Sequence, residues 1–216
     1  MTTDVFSPRS RERQARRYWT EDGFAELVVG VGFGGLALLL WLSNGAGVAQ
    51  EGLWGVVQAV YILAFVWGTR WVVQRLKWRF TYPRTGYVAY PRRPWGRRLV
   101  RALSAAAAVA VAAFLGLSFL HGAPHAWLLV LTLGIAALYL GMAWAQAWPR
   151  GAGYALVALL SGVVALLIWP LLPESRWVLQ GGLHFALLGA AQIVGGVWAL
   201  RRYVRAHPRP VEEETP

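Results

Sequence analysis

Six apolar runs, each long enough to cross a bilayer, dominate this chain: residues 24–42, 53–73, 99–120, 127–147, 152–172 and 178–200. A hydrocarbon core about 30 Å thick takes roughly 20 apolar residues at about 1.5 Å each. No water is available there to bond the backbone, so each run has to satisfy its own amides and carbonyls as a helix. The runs are too long and too evenly apolar for membrane-barrel strands, which alternate at every second residue. Of 216 residues, 57% are hydrophobic and only 14% charged, too few to wet a soluble domain of this length. The expected fold is an all-α membrane protein, a bundle of six transmembrane helices within residues 20–203. A basic N-terminal segment (1–19) and a disordered tail (204–216) flank it.

The separators carry helix-breaking residues: Ser43-Asn44-Gly45, His121-Gly122-Ala123-Pro124, Pro149-Arg150-Gly151 and Pro173-Glu174-Ser175. Short connections of this kind make consecutive helices antiparallel neighbours. The first run is too long for the apolar part of a cleavable leader, and no A-x-A pattern follows it, so it reads as a retained helix. Thr20 is its expected N-cap, with Glu21 and Asp22 in the first turn favouring the helix dipole.

Charge sets the orientation. Lys and Arg number 21 against 10 Asp and Glu, a formal net charge of +11. Twenty of those 21 fall on segments that six spans place on one side, and Arg176 alone falls on the other. The positive-inside rule then puts both termini in the cytoplasm, in the cell (inner) membrane, with anionic headgroups beside the basic loops. Nucleic acid is not an expected partner, because the basic residues interleave with the spans. Tryptophans gather at both interfaces, among them Trp41, Trp127 and Trp177 outside and Trp71, Trp144 and Trp148 inside, as membrane anchors do. The chain has no cysteine, which excludes disulfides and thiolate chemistry.

Small residues mark where helices approach closely. Gly30, Gly32, Gly34 and Gly35 lie in the first span and Gly189, Gly195 and Gly196 in the sixth. Gly30 and Gly34 have the small-xxx-small spacing, for which intramolecular packing is favoured over a homo-oligomer face. Glu26 is the one carboxylate within a span, near its inner end. It reads either as a cation or proton site or, preferably, as a snorkelling carboxylate paired with Arg16 or Arg17. Gln58 and Gln192 join Glu26 as candidates for lining a transport path, although an amide between helices is more often glue. His121, His125 and His184 cluster on the outer side. No metal site is expected of them, since Pro124 keeps His121 and His125 off one continuous helix and only Glu51 or Glu174 could add a carboxylate.

Between spans two and three, residues 74–98 form the one soluble stretch with distinctive grammar. Arg79-Phe80-Thr81-Tyr82 and Tyr87-Val88-Ala89-Tyr90 flank Pro83-Arg84-Thr85-Gly86, which suits a turn and predicts a short hairpin. A Tyr-Pro-Arg unit recurs at Tyr82 and Tyr90. Tyr82, Arg84, Gly86, Tyr87, Tyr90 and Arg92 are therefore the candidates for holding lipid phosphates or a protein partner. Asp22-Gly23-x-x-Glu26 together with Phe80-Thr81-Tyr82-Pro83-Arg84-Thr85-Gly86-Tyr87-Val88 resembles a group of uncharacterised multi-pass proteins of bacterial membranes. The resemblance covers mainly residues 20–90 and implies no activity.

No HExxH, GxSxG or Gly-rich phosphate loop opening a helix is present, so no catalytic residue or cofactor is assigned and an enzyme is not expected. The expected role is that of a non-catalytic accessory or regulatory membrane partner acting through the basic, aromatic connection. The alternative is a small-solute or ion transporter or channel.

Overall fold

The computed structural model describes residues 21–44, 48–85, 126–146, 148–168, 171 and 177–208. Among them the regular elements are all helical: α1 (Phe24–Ser43), α2 (Val48–Phe80), the single turn α3 (Tyr82–Thr85), α4 (Ala126–Gln146), α5 (Pro149–Ile168) and α6 (Trp177–Ala206). Five of these helices are long and apolar enough to cross a membrane. The expected third span, 99–120, lies outside the described residues, as do Thr20 and the basic segment 1–19.

Helices α2, α4 and α6 run toward one end of the bundle, and α1 and α5 run away from it. Antiparallel packing of α1 on α6 follows from its register: Gly23 meets Gly196, Gly30 meets Gly189, and Ala37 meets Gly182. These positions recur every seven residues on both helices and make one continuous seam, the most extensive helix contact in the bundle. A Cβ added at Gly30 would come within 2.8 Å of the Gly189 carbonyl, and one at Gly189 within 2.8 Å of the Gly30 carbonyl. Lipid tails are as apolar as leucine, so helix association in a bilayer depends on this close dispersion contact rather than on burial from water. Gly30→Ala should force the backbones apart and cost about 1–3 kcal/mol. Gly34→Ala, whose Cβ would meet nothing within 4 Å, should be close to neutral. Denaturation midpoints of the two variants in one detergent check this. Equal midpoints would refute the seam.

Against the other face of α1 lies α2. Phe65 and Tyr61 pack over Gly32 and Gly35, and the Tyr61 hydroxyl donates to the Gly32 carbonyl at 2.8 Å. The α4–α5 pair turns tightly at Trp148, whose amide donates to the Ala143 carbonyl at 2.9 Å. Pro149 follows as the first helical residue, where its missing amide costs nothing. Tyr154 of α5 packs over Gly195 of α6, and Leu188, Ala158 and Tyr139 fill the shared core.

At 33 and 30 residues, α2 and α6 are about 50 and 45 Å long and outreach the hydrocarbon layer. At the end of the bundle where α1 begins, α6 runs about ten residues past Gly23, whereas α2 ends level with Asp22 and Phe24. Every described Lys and Arg lies toward that end, here called the basic end.

Several expectations need correction. Helix α1 starts at Phe24, not after Thr20, and Asp22 stands before it with Gly23 at φ 74°. That left-handed conformation, with the Gly196 carbonyl where a Cβ would sit, admits only glycine here. The helix that carries the second span does not end at 73, because α2 continues to Phe80. The first arm of the expected hairpin is therefore helical, since residues 82–85 form another helical turn. The second arm lies outside the described residues. The tail begins later than 204, since α6 runs to Ala206.

Candidate functional site

Where α2 reaches the basic end, Val73, Lys77 and Thr81 recur every fourth residue and form one buried stripe. It docks on the start of α1. Lys77 Nζ lies 2.8 Å from Asp22 Oδ2, with both side chains 1% exposed. Thr81 Oγ1 donates to the same carboxylate at 3.0 Å, and the Phe24 amide reaches its other oxygen at 3.3 Å. Phe24 and Phe80 close the contact, ring centroids 5.8 Å apart. Three bonding groups thus hold the Asp22 carboxylate, enough to offset the cost of removing it from water.

One turn further along α1, Glu26 is 3% exposed and points into the bundle. Its Oε1 accepts from Trp148 Nε1 at 3.0 Å and pairs with Arg150 Nε at 3.2 Å. Its other oxygen is buried beside Tyr154 with no donor at bonding distance. Glu26 is therefore not a snorkelling side chain at the lipid interface. Arg16 and Arg17 are outside the described residues, and the partner in view, Arg150, comes from the α4–α5 turn. Trp148, expected as an interfacial anchor, is buried as a ligand of this carboxylate. Tyr139, Trp148 and Tyr154 surround it in mutual ring contact, centroids 5.6–6.2 Å apart.

Deeper in the bundle the polar groups follow α6. Gln180, His184, Leu188 and Gln192 are spaced four apart, all buried, and face α4 and α5. Gln192 donates to the Tyr139 hydroxyl. His184 Nδ1 lies 2.9 Å from Ser161 Oγ of α5. Between them Leu188, fully buried among apolar residues, separates the polar half near Glu26 from the half around His184. So α6 has two working faces: glycines toward α1 and a polar stripe toward α4 and α5.

The remaining sequence candidates fall elsewhere. Gln58 sits outside the stripe and donates to Ser43 Oγ at 3.2 Å, tying α2 to α1. Arg84 donates to the His207 carbonyl at 2.9 Å, fastening α3 to the end of α6. Arg84→Met should fray the end of α6 at a cost of about 1 kcal/mol. Amide exchange at residues 203–207 reads this, and unchanged protection would contradict it. Tyr82 packs edge-on against Trp78 at 5.1 Å. Gly86, Tyr87, Tyr90, Arg92, His121 and His125 lie outside the described residues. Among the described residues no group of three or more His, Cys, Asp or Glu is placed to hold a metal ion.

Sequence reasoning missed Lys77, Asp22, Trp148, Arg150 and Ser161 as interior residues. The four-residue spacing of Val73, Lys77 and Thr81 was the available signal for Lys77. The fold and its buried polar groups define a helical membrane protein with ionisable side chains inside the bundle. The chain matches no protein-family model, no curated protein and no solved structure.

Proposed function

We propose that the chain is a six-span protein of the cell's inner membrane, both termini cytoplasmic, whose polar interior carries a small solute or ion across the bilayer. The carrying observation is the stripe of Gln180, His184 and Gln192 on α6, continued by Tyr139 to the buried Glu26. Polar and ionisable groups are expensive inside a membrane and mark pathways when they face the bundle interior. Leu188 closes the stripe in this conformation, so passage requires that layer to open.

Six spans are supported by direction. Helices α2 and α4 run parallel, so residues 86–125 have to return from the basic end to the opposite one, and the apolar run 99–120 has the length for it. The gathering of basic residues at one end supports the cytoplasmic placement of that end, beside anionic headgroups.

Proteoliposomes test the reading. Against a panel of protons, monovalent cations and short neutral solutes, the protein should accelerate at least one flux over empty vesicles, and Gln192→Leu should diminish it. No acceleration across the panel would end the proposal.

A second reading, an accessory partner acting through the basic connection, is favoured by α2. It is the least buried of the five spans and exposes Trp67, Trp71 and Trp78 to lipid or a partner helix. Crosslinks from native membranes that form with the normal chain, and vanish on changing Tyr82 or Gly86, would support this reading over transport.

A further inference from the structure

We propose that the half of the bundle remote from Glu26 holds a binding site for a small neutral hydrogen-bond donor, built from His184, Gln180, Thr132 and Ser161. The protonation pattern follows from the bonds. Ser161 Oγ lies 3.0 Å from the Ala158 carbonyl, which can only accept, so the single hydroxyl proton is directed there. The contact between Ser161 Oγ and His184 Nδ1 then needs its proton from the imidazole. A neutral ring with Nδ1 protonated carries a bare lone pair on Nε2. That Nε2 belongs to a fully buried side chain, and no protein donor reaches it.

Two further side chains share the region and the condition. Gln180, one turn outward on the same stripe and 1% exposed, has neither its amide nitrogen nor its oxygen bonded. Thr132 of α4, 5% exposed, packs against Gly162 at the level of Ser161, and its hydroxyl is likewise without a partner. A Cβ at residue 162 would collide with Thr132, so glycine there lets the threonine in. A buried polar group left unbonded keeps the full cost of its removal from water. Three on facing helices at adjacent levels are better explained as a site than as separate defects.

The chemistry of the set selects the ligand. Imidazole Nε2 and the Gln180 carbonyl accept, the Gln180 amide donates, and the Thr132 hydroxyl does either. None of them is charged. The nearest described carboxylate inside the bundle, Glu26, packs at the level of Gly196, twelve residues and about 18 Å along α6 from His184. An ion would therefore stand in hydrocarbon without a countercharge. Water, formamide and other short neutral donors fit, and potassium does not.

Nitrogen-15 spectra of the histidine-labelled full chain in lipid nanodiscs test the site, with His184→Gln assigning the signal. We expect His184 to show a protonated Nδ1 and a bare Nε2 that receives magnetisation from bulk water. Its Nε2 signal should shift saturably with formamide, and Thr132→Val or Gln180→Leu should weaken that shift severalfold. Potassium chloride should leave it unchanged. A protonated Nε2, a signal that responds to neither water nor formamide, or a saturable response to potassium would each overturn the proposal. These spectra read binding and not flux, so the site and the transport reading can fail separately.

Discussion

Lys77→Met should be the most damaging single substitution in the described part of the chain, lowering stability by about 3–5 kcal/mol. The reason is the state in which it leaves Asp22. With the ammonium gone, a carboxylate 1% exposed keeps only Thr81 Oγ1 and one backbone amide. Its charge is then uncompensated beneath the packed rings of Phe24 and Phe80. Asp22→Asn/Lys77→Met removes both charges and should recover much of the loss, because the pair itself contributes little net energy once its desolvation is counted. Arg205→Met, at an exposed position on the same end of the bundle, should stay within about 0.5 kcal/mol. Denaturant midpoints in a single detergent measure all three. If Lys77→Met falls within 1 kcal/mol of the unmodified chain, water reaches Asp22 and the pair is not the buried clamp described.

How much of this was legible beforehand divides along a physical line. Helix existence was, because the bilayer imposes a length and a composition that single runs display on their own. The run 24–42 became Phe24–Ser43, and 127–147 became Ala126–Gln146. Beyond the hydrocarbon that constraint lapses. Apolarity stops at Val73, yet α2 continues because a four-residue stripe of mixed chemistry, Val73-Lys77-Thr81, finds the start of α1. Counting Lys77 with the basic loop overlooked that periodicity. The hairpin expectation around Pro83 weighed turn chemistry alone. A proline at the second position of a helical turn is equally comfortable, and α3 uses it so.

The site was legible in its types and not in its pairings. Gln192 and Glu26 stood out as polar residues within spans, but Glu26 meets Trp148 across 122 residues of sequence. Nothing local encodes that contact. His184 drew notice for its topological kinship with His121 and His125, whereas its chemistry is set by Ser161, a residue unremarkable in the sequence. The four-residue spacing of Gln180, His184, Leu188 and Gln192 was visible throughout. Only the packing of α4 and α5 shows that this stripe faces inward.

Glu26→Gln and Leu188→Ala should move flux in opposite directions if the stripe is a path. Glu26 is the one described carboxylate deep enough to exchange its Arg150 partner for a passing solute, and Arg150, 24% exposed, can follow the release by turning toward the headgroups. The amide in Glu26→Gln keeps the size and the bond to Trp148 but loses the charge. Transport should fall about tenfold or more, as expected for an intramembrane ionisable group on a pathway. Leu188→Ala removes the apolar layer between the His184 and Gln192 halves and leaves Ala158 and Tyr139 facing a small void. Its stability cost is about 2–5 kcal/mol, so flux is read only from protein that elutes as a single folded species. In such protein the leak should rise, since the two polar halves are then separated by one methyl group instead of an isobutyl side chain. Opposite signs from two substitutions on one interior line are what a path predicts. A purely structural interior would lose stability in both variants and change flux in neither.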